Sequence, residues 1–170
     1  MLDESEKIAE PYRSLVNRLL GELMSAYGDR LVSLVVFGSV ARGDARKDSD
    51  IDLLLVIGSL PKSRLERQQE FIGVEKALDE CLDELSGQGY SVSLSPILLT
   101  PDEASKVSPL YLDMVEDAVI VYDKDGFFGD VLERLRERLK ELGSRRIWMG
   151  KKWYWVLKPD YRFGDVIRIG

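Results

Sequence analysis

Asp50 and Asp52 sit two residues apart at the start of an apolar run, Asp50 to Ile57 (DIDLLLVI). On an extended strand side chains alternate faces, so both carboxylates point one way while Ile51 and Leu53 point into the core. Two like charges side by side repel and are costly unless a cation lies between them. Paired hard oxygen ligands of this kind suit Mg²⁺, which prefers carboxylates together with phosphate oxygens. Upstream, a second apolar run, Leu31 to Phe37 (LVSLVVF), stops at Gly38-Ser39. Glycine lets a ligand approach the backbone closely. A helical turn opening there would offer exposed amides and the Ser39 hydroxyl to phosphate. Strand, phosphate cradle, loop and metal-binding strand would then hold a Mg²⁺-nucleotide for in-line attack.

The composition narrows the alternatives. The chain has 170 residues, close to one ordinary domain. Hydrophobic residues at 45% and charged residues at 32% are a globular balance, not a disordered one. There is no histidine, which excludes Ser-His-Asp triads, Cys-His dyads and His-ligated zinc within this chain. Cys81 is the one cysteine, so no intrachain disulfide forms, and its place on an apolar helix stripe makes it a core thiol. The acidic opening Met1-Leu2-Asp3-Glu4 is unlike a signal peptide, and no run approaches a membrane span. The expected location is the cytoplasm, with no membrane partner.

The elements that must position these residues can be read from periodicity. Ile8, Tyr12, Leu15, Val16, Leu19, Leu20 and Leu23 make one face of a helix ending at Tyr27. The two apolar runs are strands flanking a small polar stretch, Val40 to Ser49. Lys62 to about Leu85 reads as one long helix, with Leu65, Phe71, Ile72, Leu78, Cys81, Leu82 and Leu85 as its inner stripe. Tyr90 to Thr100 (YSVSLSPILLT) reads as a third strand, with Ser91, Ser93 and Ser95 on one face and Pro96 marking an edge or bulge. Pro101 opens a short helix, Leu110 to Val115 another. Ala118 to Tyr122 is a fourth strand and Gly126 to Leu142 a third long helix. The class is α/β or α+β: a mixed β-sheet flanked by helices.

The string Gly38-Ser39-Val40-Ala41-Arg42-Gly43 leading to Ser49-Asp50-Ile51-Asp52-Leu53 resembles the GS-x10-DxD signature of the minimal nucleotidyltransferases, in the DNA polymerase β-like superfamily. The close match covers about residues 34–57, and the element order extends it to roughly residues 5–122. The resemblance implies a nucleotidyltransferase fold and transfer of a nucleoside monophosphate from an NTP to a hydroxyl of a protein or small molecule, with release of pyrophosphate. It implies that Asp50 and Asp52 are catalytic metal ligands for Mg²⁺ or Mn²⁺. It implies that Gly38 and Ser39 hold the phosphates of an NTP, ATP foremost, with Arg42 as a helper. It also suggests a setting, beside a HEPN-type protein partner in a toxin-antitoxin pair. One part of the pattern is missing. Active relatives place a third carboxylate on the next strand, where Tyr90 to Thr100 has serines. Either two acids suffice, or Asp44 or Asp48 bends inward, or the protein is a catalytically weakened nucleotide-binding or scaffolding module.

The domain is expected to span 1–143, followed by a basic, aromatic extension over 144–170. That tail carries seven basic and two acidic residues and all three tryptophans, a net +5 against −11 for the rest. Interleaved Trp, Tyr and cations can bind nucleic acid or a protein partner. The aromatic content and the acidic total favour packing back on the body. Lys152 to Leu157 and Val166 to Ile169 are expected to pair as a hairpin around Pro159-Asp160. Gly150-Lys151-Lys152 is not a phosphate-binding loop, since the upstream glycine and the following Ser/Thr are missing.

Overall fold

A computed structural model describes residues 3–170; Met1 and Leu2 of the acidic opening lie outside the described residues. Helices α1 (Tyr12–Tyr27), α2 (Gly38–Arg42), α3 (Arg64–Ala77), α4 (Asp79–Gly87), α5 (Pro101–Ala104), α6 (Leu110–Asp117) and α7 (Phe127–Leu142) surround strands β1 (Leu31–Phe37), β2 (Ile51–Ile57), β3 (Leu94–Leu99) and β4 (Val119–Asp123). The strands form one sheet in the order β3-β2-β1-β4. β1 is antiparallel to both β2 and β4, and β2 is parallel to β3. The expected mixed sheet flanked by helices is present. β3 is an edge strand, which is where Pro96 is tolerated.

The central strands are apolar on both faces because both faces are covered. Leu34, Val36, Leu53 and Leu55 pack against α1 and α3, through Leu19, Leu23 and Phe71. Val35, Leu54 and Val56 pack on the other side against Tyr111, Phe128 and Leu135 of α6 and α7. A buried polar pin joins strand to helix at the sheet edge. Asp123 accepts hydrogen bonds from Ser33 Oγ (2.6 Å) and from the amides of Phe128 and Gly129 (2.9 and 2.8 Å), so it caps α7 while bridging β4 to β1. Among the described residues, no helix is long and apolar enough to cross a membrane.

Three expectations need correction. The long helix over 62–85 is two helices, broken at Leu78 (φ −100°, ψ 0°). Its buried face is Arg67, Phe71, Val74 and Leu78, so Leu65 and Ile72, on the opposite side of the turn, are exposed. The third strand begins only at Leu94. Ser91 is held out of it by its amide bond to the Lys47 carbonyl (2.8 Å). The tail hairpin is β5 (Arg145–Met149) with β6 (Lys152–Val156), not Lys152–Leu157 with Val166–Ile169. Gly150 at φ +65° supplies the first central residue of a two-residue turn, which a Cβ-bearing residue would resist.

The join between β3 and α5 is a capping box. Thr100 and Glu103 bond each other's backbone amides, and Glu103 also receives Arg67 Nη1 at 2.8 Å. The Thr100 amide, then Arg67, hold the Glu103 carboxyl down at about 2. A lowered pKa means the stabilisation is complete above the unfolded value of 4.5 and is lost as pH falls through about 2. Glu103→Gln should therefore lower the Tm at pH 7 by about 2–4 °C, corresponding to about 1 kcal/mol for such a cap. The gap from wild type should close between pH 4.5 and 2 in thermal melts.

Candidate active site

The cradle is built by strand pairing. In the β1–β2 ladder Phe37 stands opposite Asp52, so the turn that follows Phe37 begins beside that carboxylate. Gly38 sits at φ +73°, and a Cβ built on it would overlap the Asp52 side chain. Glycine is required there twice, by backbone conformation and by space. α2 is anchored through buried Val40, which leaves Ser39 and Arg42, three residues apart, on one face. Gly43 (φ 83°) ends the turn, and the Gly43 and Asp44 amides both close on the Ser39 carbonyl at 3.0 and 3.1 Å. The first amides of the turn have no intrahelical acceptor.

Ile51 and Leu53 are fully buried, which turns the two neighbouring acids to the other face. Asp50 is exposed and accepts a hydrogen bond from Ser93 Oγ; Asp52 is half-buried and stands opposite Ser95 across the parallel β2–β3 pairing. Serines thus stand where a third acid is expected, Ser93 just before β3 and Ser95 within it. Burial raises the Asp52 pKa, the Asp50 charge raises it further, and the Arg42 charge pulls it back down. Asp44 and Asp48 are exposed, and Asp44 pairs with Arg42 Nε at 3.5 Å. Among the described residues no three carboxylate, His or Cys side chains gather as a metal cluster. The fit to a divalent ion is that of two adjacent carboxylates, one of them packed directly against Gly38, with phosphate oxygens and water needed to complete the shell.

Asp52 and the cradle residues line a pocket of about 310 Å³, with Asp50 outside its lining. Gly38, Ser39, Arg42 and Asp52 form one wall; Leu110, Asp113 and Asp117, on one face of α6, form the other. A larger hollow of about 640 Å³ lies over α7, but it is more open and lined by exposed charges such as Asp125, Asp130 and Arg134. The smaller one holds Gly38, Ser39, Arg42 and Asp52. Asp113 and Asp117 were not singled out by sequence reasoning. The available signal was their four-residue spacing on a short helix, opposite the buried Tyr111, Met114 and Val115.

A family model described as a nucleotidyltransferase domain matches residues 16–122, which contain both the cradle and the acid pair. A Methanocaldococcus jannaschii protein, MJ1305, named as a proposed protein adenylyltransferase, is 33% identical over 145 residues, covering 82% of this chain and 93% of the relative. The chain belongs to the nucleotidyltransferase domain family. A second protein of that organism, MJ0604, bears the same functional name and is 42% identical over 41 residues, 24% of this chain and 41% of the relative. Among solved structures, a toxin-antitoxin with AMP-PNP aligns at TM-score 0.46 and 17% identity, covering 75% of this chain and 91% of the other. The toxin-antitoxin MntA-HepT aligns at 0.43 and 14%, covering 77% and 92%.

The unneutralised acid pair makes a stability prediction. In metal-free buffer Asp52→Asn should raise the Tm by about 1–2 °C, since it removes a screened carboxylate repulsion of a few tenths of a kcal/mol. Differential scanning calorimetry in EDTA checks this, and a lower Tm would mean that the pair does not repel.

Proposed function

We propose that the protein is a Mg²⁺-dependent nucleotidyltransferase that moves the nucleoside monophosphate of an NTP, ATP foremost, onto a hydroxyl of a protein. The observation that carries the reading is the Gly38 turn closed against Asp52, with Asp50 beside it on the same strand start. The protein acceptor is suggested by the name of the relative that is 33% identical. A HEPN-type partner is the acceptor that the sequence resemblance suggests.

In this reading the first amides of α2 and the Ser39 hydroxyl bind the terminal phosphates. Arg42, on the same face, steadies them from the side. Asp50 and Asp52 would hold the divalent ion, which when bound would supply positive charge to neutralise the phosphates. The acceptor oxygen attacks the α-phosphorus and forms a new P–O bond. The bond to the bridging oxygen breaks, and pyrophosphate leaves with the electron pair. The acceptor's proton passes to water at the exposed Asp50 side of the site, because Asp113 is hydrogen-bonded to the Trp153 and Trp155 indoles and Asp117 is paired with Arg146. The half-buried position of Asp52 keeps the charges in a medium less polar than bulk water, where each counts for more.

A second reading is favoured by one observation, the hydroxyls of Ser93 and Ser95 where a third carboxylate would stand. A weakened module would bind nucleotide without turning it over. Incubation with Mg²⁺ and ATP labelled at the α- or γ-phosphate separates the two. Transfer of the α-label with pyrophosphate release, reduced at least about a hundredfold in Asp50→Asn, supports the transferase. Tight MgATP binding with neither product supports the module.

A further inference from the structure

The basic tail does not lie loose on the acidic body. Arg146 of β5 donates a two-pronged bond to Asp117, Nη1 to Oδ2 at 2.6 Å and Nη2 to Oδ1 at 2.9 Å. The indole N–H groups of Trp153 and Trp155 on β6 both donate to Asp113 Oδ1, at 2.7 and 2.8 Å. Asp113 and Asp117 are the α6 carboxylates that line the Gly38–Ser39 pocket. The hairpin is therefore fastened to the far wall of the site.

What it brings there is a stack of alternating cations and rings. The Arg42 guanidinium lies 4.7 Å from the Trp153 ring centre. Arg146 lies 5.1 Å from the Trp153 ring and 4.9 Å from that of Trp148, and the two rings are themselves 4.9 Å apart. The two arginines differ in what remains to them. Arg146 has its forked edge committed to Asp117. Arg42 has, among the described residues, one ion pair, the 3.5 Å contact with exposed Asp44. A guanidinium can stack by its face and donate by its edge, so an arginine lying over the Trp153 ring can keep its edge for an anion. That edge belongs to a residue sharing a helical face with Ser39 and lining the same pocket.

We propose that Trp153 is a positioning residue for the triphosphate: set against Arg42 and tied to Asp113, it fixes the guanidinium beside the Gly38–Ser39 turn, so that the tail hairpin braces the nucleotide site through residues that line it. The proposal rests on the reading of this pocket as a nucleotide site. Its physical content is preorganisation. A long side chain already ordered loses less freedom when phosphate arrives.

The test is a double-mutant cycle on MgATP affinity, measured by isothermal titration with the full chain, with adenosine as a probe lacking phosphates. Arg42→Ala and Trp153→Ala should each weaken MgATP about tenfold, and the double variant should be no worse than Arg42→Ala within about twofold. Adenosine affinity should change less than about twofold. Trp153→Phe keeps a π face and should recover most of the loss. Trp153→Leu keeps bulk without the ring quadrupole and should not, which separates positioning from packing should the alanine variant be poorly folded. If wild type binds MgATP but Trp153→Ala matches it, or the two losses multiply, or Leu rescues as well as Phe, the proposal is overturned while the nucleotide-site reading stands. If wild type does not bind MgATP at all, that reading fails as well, and the proposal with it.

Discussion

The Asp52 carboxylate fills the place that a side chain at position 38 would occupy. That close approach ties the phosphate turn to the acid pair, and it exists because the antiparallel β1–β2 register sets Phe37 opposite Asp52. A slip of one residue would send Asp52 into the core and Ile51 or Leu53 into the pocket, which the burial of Ile51 and Leu53 forbids. The apolar faces of β2 thus specify the site as much as the acids do. The sheet holds the register from both sides, through α1 and α3 on one face and α6 and α7 on the other.

Charge is distributed to serve the same point. Asp50 and Asp52 face each other's repulsion with Arg42 as the nearby cation. Across the pocket Asp113 and Asp117 are hydrogen-bonded to the tail, so their carboxylates are structural anchors for Trp153, Trp155 and Arg146. The Arg146–Asp117 pair, with side chains 12% and 10% exposed, is costly to break from one side, because the remaining charge is left without a partner. The opposite charge of body and tail read from the sequence has its counterpart here in specific bonds.

The central strands and the Gly38-Ser39 to Asp52 segment were legible in the sequence because their signals are local: two short apolar runs, a glycine where the chain turns, two acids two residues apart. The failures came where the deciding contact is distant. Leu78 continues the apolar pattern of the helix before it and stays buried, so nothing local announces the break between α3 and α4. The alternation of Ser91, Ser93 and Ser95 mimics a strand, yet the Tyr90 amide is held by the Leu85 carbonyl at the end of α4 and the Ser91 amide by the Lys47 carbonyl of the loop before β2. Pro159-Asp160 is the stronger turn signal in the tail. Gly150-Lys151 makes the turn instead, because the resulting hairpin can hand two indoles to Asp113 and a guanidinium to Asp117. Those partners lie about 30–40 residues away in the chain, beyond any periodic pattern.

The central claim is that two adjacent carboxylates and a glycine-serine turn form one site for a nucleotide that arrives with its divalent ion. Titration calorimetry of ATP with the full chain, in millimolar Mg²⁺ and again in EDTA, tests it most directly. The account predicts a saturable binding event in Mg²⁺ that weakens at least about tenfold in EDTA, since triphosphate and carboxylates then repel unscreened. Equal affinity in both buffers, or binding unchanged by Asp50→Asn with Asp52→Asn, would contradict it.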